Sequence, residues 1–169
     1  MIIGEALKVV FSGLKVNGID VTTHYGDQKE LSYWVASHKR NQTFPLIWYV
    51  VNKTTPISQT QVNVKTQLIL FHLSNNQMLN SERFTKHYDI YLNPLLEKVN
   101  TALKSNKYIY LRESRFGLPY IDEPNFGIKK TELDFSSLNK TQEQKSPIIE
   151  TVDAKILYLD MDINPNCII

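Results

Sequence analysis

The sequence predicts an α+β fold: an antiparallel sheet with a long hairpin, packed against an N-terminal helix and a long central helix. Three observations carry this. Between Glu82 and Asn106 apolar residues recur at Phe84, Tyr88, Tyr91, Leu95, Val99 and Ala102, with Leu92, Leu96 and Leu103 beside them, and steps of three and four are the helix period. Between Leu46 and Leu73 two runs of β-forming residues flank a stretch containing Thr54, Thr55 and Pro56. Towards the C-terminus Leu157, Leu159, Met161 and Ile163 alternate with Tyr158, Asp160 and Asp162, the pattern of a strand with one face inward and one polar face outward.

In chain order, Ile2, Ile3, Ala6, Leu7, Val10, Phe11 and Leu14 form an apolar stripe on a first helix that is expected to end near Gly13 to Gly18. A polar stretch with Asp20, His24 and Gly26 leads to a second, short helical spacing at Leu31, Trp34, Val35 and His38, and Lys39 to Thr43 has no periodicity. Phe44-Pro45 opens the continuous β-formers Leu46 to Val51, which predict a buried strand. Asn52 to Gln59 reads as a turn or extended hairpin loop. Gln61 to Leu73 is the return strand, and its second half, apolar on both sides apart from His72, predicts a sheet covered on both faces.

The central helix has Asn80 and Ser81 as good N-cap residues and Glu82 at the positive end of its dipole, with Lys104 and Lys107 at the other end. Unbroken, it would be roughly 37 Å long. Pro94 removes the amide that would bond to Ile90 and crowds that carbonyl. A single kinked helix is expected, because the stripe stays in phase across the proline; the alternative is two helices, with Asn93 as a new N-cap and Pro94 at the tolerated first position. Tyr108 to Leu111 is a short strand leading into Gly117, Pro119, Pro124 and Gly127. Lys129 to Phe135 is expected to pair within this region, and the polar residues 136–147 to form an exposed loop. Residues 1–169 read as one domain with an irregular insertion at about 113–150. Order returns at Val152, and Pro165 ends the last strand.

Composition narrows the function classes. With 42% hydrophobic and 21% charged residues the chain is an ordinary globule. Its net charge of +2 comes without a lysine or arginine block to track phosphates, which disfavours a nucleic-acid-binding module. Cys167 is the only cysteine, so an internal disulfide is excluded and a reducing cytoplasm fits. The longest apolar run, Pro45 to Val51, falls far short of the roughly 20 residues of a membrane helix. The N-terminus, interrupted by Glu5 and Lys8, reads as structure, and without an export signal the sequons at Asn41, Asn52 and Asn139 are chance.

No motif points to catalysis. Asp160, Asp162 and Asn164 imitate the first ligands of a calcium loop, but Pro165 replaces the glycine and the closing glutamate would fall beyond Ile169. A solvated strand face explains them, and also their spacing as paired carboxylates. His24, His38, His72 and His87 lack zinc spacing. Cys167 has no nucleophile signature or prenylation box, and no Gly-x-Ser-x-Gly or phosphate-binding glycine loop occurs. Trp34, Trp48, Tyr49, Tyr88 and Tyr91 fall in phase with aliphatic residues and read as core rather than base-stacking platforms. Tyr108, Tyr110 and Tyr120 stand in a Gly/Pro-rich region suited to interface aromatics. No metal or cofactor is expected.

The order of segments carries a resemblance. A short N-terminal helix, Leu31 to Val35 before the Phe44-Pro45-Leu46-Ile47-Trp48 strand, a hairpin, a long helix and the Val152 to Asn166 strand together resemble the tail terminator, or tail-completion, proteins of long-tailed bacteriophages. The resemblance spans most of residues 1–112 and 152–167. It implies a non-enzymatic virion protein at the tail-neck junction, assembled in the host cytoplasm as a homo-oligomer, a hexameric ring. Such a ring caps the tail tube protein, ends tube growth and forms the head-tail joining surface with neck or connector proteins and the sheath. DNA passes through its channel without sequence-specific binding, and no membrane is involved. The alternatives are another neck or head-tail connector ring protein, or a small cytoplasmic enzyme. Thr54, Pro56, Val62, Val64, Tyr110 and Tyr120 are the candidate subunit-interface residues, and intersubunit strand pairing is expected to use Gln61 to Thr66. The segment from Glu113 to Glu150 departs from the compact family pattern and reads as a decoration reaching a neighbour or the sheath.

Overall fold

In the computed structural model, residues 2–38, 44–75, 77–112, 117–129 and 148–168 are described. Helix α1 (Ile3–Val10) turns Ala6 and Leu7 inward. It ends before its apolar stripe does, and Gly13 follows at a left-handed φ of 73°. Asn17 and Gly18, at φ 49° and 77°, make the tight turn between β1 (Lys15–Val16) and β2 (Ile19–Asp20); positive φ at both central positions is what an Asn-Gly hairpin turn requires. β3 (Thr22–Gly26) follows. The polar stretch between the first two helices thus holds three strands that sequence reasoning did not place. Helix α2 (Gln28–Ser37) opens with a reciprocal cap: the Glu30 amide donates to Asp27 Oδ1 at 2.8 Å and the Asp27 amide donates to Glu30 Oε2 at 2.7 Å.

The expected long hairpin is present. β4 (Leu46–Val50) and β5 (Thr54–Pro56) both run antiparallel to β6 (Val62–Leu73), with Leu46 opposite Phe71 and Pro56 opposite Val62. β6 in turn pairs along its whole length with β9 (Ile148–Ile163), from Val62 opposite Ile163 to Leu73 opposite Val152. On the outer side of β9 lie β7 (Ile109–Leu111) and β8 (Tyr120–Lys129), end to end. The order is β3-β4-β6-β9-β7, and β3 against β4 is the one parallel pairing among the described strands. β8 and the first residues of β9 are regular structure inside the stretch 113–150 expected to be irregular. The expectations for 39–43, 130–135 and 136–147 fall outside the described residues.

Strand alternation divides the core as the return strand foretold. Ile47, Tyr49, Leu68, Leu70, Leu157, Leu159 and Met161 pack towards α1 and the long helix, while Leu46, Trp48, Ile69, Phe71, Ala154 and Ile156 pack towards α2. The sheet is the middle of three layers.

The long helix, α3, is continuous but not uniform. Asn80–Arg83 is α-helical, Phe84–Leu92 has π geometry and Asn93–Ser105 is α-helical again. Arg83, Leu92 and Asn93 all stay in the right-handed helical region, so Pro94 does not split the helix. The departure from α geometry lies before the proline, where the Asn93 amide reaches back five residues to the Tyr88 carbonyl. Wider turns change which side chains meet the sheet. Arg83, His87, Tyr88 and Leu92 face inward, while Phe84, assigned to the inner stripe by α spacing, is 42% exposed.

Candidate functional site

β9 brings the least expected chemistry into the core. Its inward parity, set by Leu157, Leu159 and Met161, extends back to Lys155 and Asp153, and both are fully buried. Asp153 stands opposite His72 of β6 and beneath the π segment of α3. Its Oδ1 accepts from Arg83 Nη1 at 2.8 Å and from the Asn125 amide at 2.9 Å, and its Oδ2 accepts from His87 Nδ1. Burial acts to raise the Asp153 carboxyl, but these donors outweigh it and hold the group below its ordinary value. Arg83 also donates to Ser74 Oγ, to the Asn75 carbonyl and, at 3.1 Å, to the Met78 carbonyl. One guanidinium therefore ties the loop before α3, the start of α3 and β9 together.

His72 completes this cluster, stacked on Tyr91 with centroids 4.1 Å apart and 4.7 Å from the His87 ring. Burial, reinforced by His87, pushes its imidazole down to about 4. Asp, His and Arg are the residue types of acid-base catalysis; here Arg83 and His87 fasten the helix to Asp153 of the sheet, Arg83 also holds the loop before α3, and neither groove described below touches them. The cluster is a structural staple. Beside it Lys155 Nζ lies 2.6 Å from Asp122 Oδ1 on β8 and 3.9 Å from the Tyr120 ring centroid, so a buried ammonium has both a carboxylate and an aromatic face.

The opposite face of the sheet is covered by α2 only over part of its length. Beyond that cover lies a groove of about 560 Å³ between Val50, Lys65, Gln67, Arg112, Tyr158 and Asp160. Here the calcium-like aspartates are already engaged. Asn63 Nδ2 donates to Asp160 Oδ1 and Asp162 Oδ1, each at 2.8 Å. Arg112 donates to Asp162 Oδ2 through Nε at 3.1 Å and Nη2 at 2.9 Å, and Lys65 Nζ lies 3.7 Å from Asp160 Oδ2. Burial opposes the ionised form of Asp162, yet Asn63 and Arg112 hold its carboxyl below the usual range. Among the described residues no three His, Cys, Asp or Glu side chains gather closely enough to hold a metal ion.

The candidate interface residues do not form one patch. Thr54 and Pro56 are exposed on β5, Tyr110 is exposed on β7, and Tyr120 lies on β8 over Lys155. Val62 is half-buried. Val64 is fully buried in this chain's own core and presents no side chain to a neighbour. Gln61 to Thr66 is not a free edge either, since β6 is paired on one side with β5 and on the other with β9. Among the described residues the unpaired edges are β3 and β5 on one side and β7 and β8 on the other.

A second hollow, of about 300 Å³, lies between α2 and β8 over Trp48, Ile69 and Ile156, with Gln28 and Gln67 in its lining. No helix among the described residues is long and apolar enough to cross a membrane. No protein-family model matches the chain, and no curated protein or solved structure is detectably similar to it.

Proposed function

We propose that this chain is a non-enzymatic assembly protein of a long-tailed bacteriophage, which caps the tail tube as a ring, ends tube growth and forms the surface joining tail to head. The observation that carries the reading is that, among the described residues, the sheet has unpaired edges on opposite sides of one three-layer core. Edges of this kind invite addition of another chain unless they are covered, and a closed ring of identical subunits covers them all. The segment order and the long helix across the sheet support the same reading. Near-neutral charge suits a channel through which DNA must slide without being gripped.

The test is the solution mass of the purified chain by light scattering, with particle images in the presence and absence of tail tubes. A six-fold ring, formed alone or only on tube ends, is the expected result. A monomer that leaves tubes growing and uncapped would overturn the reading. Addition of the ring to a portal or connector instead of a tube would identify it as another neck protein.

A further inference from the structure

We propose that Asn17 is a self-modifying site: its carboxamide deamidates by attack of the Gly18 backbone nitrogen, docking of the β1-β2 turn on α3 holds the reaction back, and the finished reaction makes undocking permanent. None of this chemistry depends on the ring.

Asn17-Gly18 is the one Asn-Gly pair in the sequence, and both residues are exposed to water. Glycine has no side chain to hinder attack by its own nitrogen, so this pair closes on itself more readily than asparagine before any other residue. The Gly18 nitrogen gives its proton to hydroxide and bonds to Asn17 Cγ. The Cγ–Nδ2 bond breaks, and Nδ2 takes a proton from water and leaves as ammonia. Water then opens the cyclic imide at either carbonyl, giving aspartate or, with the main chain rerouted through the side chain, isoaspartate. Water and hydroxide are the only co-reactants.

The fold restrains this reaction at the leaving atom. Nδ2 is the donor to the Ile90 carbonyl at 2.9 Å, and expelling it ends that bond. Asn17 and Gly18 are also fixed at φ 49° and 77° by the pairing of Val16 with Ile19 and Lys15 with Asp20. Val16 is fully buried in the core cluster that contains Leu92, Leu95 and Val99 of α3. The turn must lift off α3 before Cγ can fold back onto the Gly18 nitrogen, and a local opening of this kind is easier than unfolding the whole chain. The product then keeps the turn away. An aspartate carboxylate only accepts, so at position 17 it would meet the Ile90 carbonyl acceptor to acceptor. Isoaspartate lengthens the main chain by a carbon, which a two-residue turn cannot absorb without losing its register.

The test follows the Asn17 peptide by mass spectrometry as the full chain is held in mildly alkaline buffer, with the chain unfolded in guanidinium chloride as reference. Asn17 should convert in both, at least about tenfold more slowly when folded. Two variants at fully buried valines locate the gate. Val16→Ala loosens β1 itself and should raise the folded rate at least about threefold; Val152→Ala, on β9 in the layer towards α2, should leave it unchanged. Equal folded and unfolded rates, or no conversion in either, would overturn the site. Equal acceleration by both valine variants would mean that global unfolding exposes Asn17, and would overturn the gate. Asn17→Asp carries one product directly and keeps the core intact, so it decides the matter even where Val16→Ala fails to fold. Hydrogen exchange of its Val16 and Ile19 amides should be at least about tenfold faster than in wild type while the amides of β6 and β9 keep their protection. Unchanged exchange at Val16 and Ile19 would overturn the permanent undocking.

Discussion

The side-chain amide of Asn17 donates to the carbonyl of Ile90 at 2.9 Å. In α geometry that carbonyl would take the amide hydrogen of residue 94, which is proline and has none. The β1-β2 turn therefore supplies this carbonyl with a donor from outside the helix. Asn17 does so from a φ of 49°, where Asn and Gly are tolerated and Ala is strained. Asn17→Gly should cost about 0.5–1.5 kcal/mol for the lost bond, and Asn17→Ala about 1–2 kcal/mol more. With Pro94→Ala in place, residue 94 regains an amide and Asn17→Gly should cost measurably less. Urea-unfolding midpoints of the four chains settle this, and an equal loss in both backgrounds would show that Asn17 is not compensating for the proline.

A Cβ at Gly4 would sit 2.2 Å from Cγ of Tyr25, so α1 lies directly on that ring. The ring is not free to swing away, because its hydroxyl donates to Glu5 Oε1 at 2.7 Å. Gly4→Ala should therefore lower stability by about 1–3 kcal/mol, the cost of overpacking. Helix propensity alone would favour alanine by about 1 kcal/mol, so a raised thermal midpoint for this variant would refute the close contact.

Lys155 and Asp122 should respond asymmetrically. Asp122→Ala leaves a fully buried ammonium without its carboxylate, which costs about 3–5 kcal/mol in general, and the lower end applies because the Asp122 side chain is 30% exposed. Lys155→Met removes the charge and leaves an apolar chain against Tyr88 and Tyr120, so it should lie within about 1 kcal/mol of wild type or above it. Chemical denaturation of both variants decides the order, and a larger loss for Lys155→Met would contradict it.

The parts of this fold that were legible in the sequence are those where periodicity and burial agree. The Leu46 strand, the return strand with Leu68 to Leu73 covered on both sides, and the helical stripe from Tyr88 to Leu103 all follow from apolar spacing. Asn17-Gly18 is a strong hairpin signal that was present but overlooked within a polar stretch. Asp153 and Lys155 were hidden by their charge, although extending the inward parity of Leu157 and Leu159 back by two and four residues places both inside. Arg83 could not be found this way. Its burial depends on the π turns of α3, which shift the inner face by about a residue per turn, and no residue pattern announced them. The candidate interface residues rested on a resemblance in segment order, which does not encode which strand is an edge. Val64 and the Gln61 to Thr66 segment accordingly fell on an interior strand.

The staple beneath α3 should make the protein sensitive to mild acid. The His72 imidazole is lowered from 6.5 to about 4 by burial and by His87, so the unfolded chain binds a proton there between those values and the folded chain does not. Its contribution is whole above 6.5 and declines as the pH falls towards 4, by roughly 3 kcal/mol in all. Asp153 acts in a lower window: its carboxyl lies below the ordinary 3.8, so its contribution is present above that value and lost as the pH falls through the depressed one. His72→Phe keeps a ring against Tyr91 and removes the titration. Unfolding free energies between about pH 7 and pH 4.5 should fall by ~2 kcal/mol more in wild type than in His72→Phe. Parallel pH profiles for the two chains would mean that His72 is solvated, and the tight packing of β6 against the π segment would then be wrong at that point.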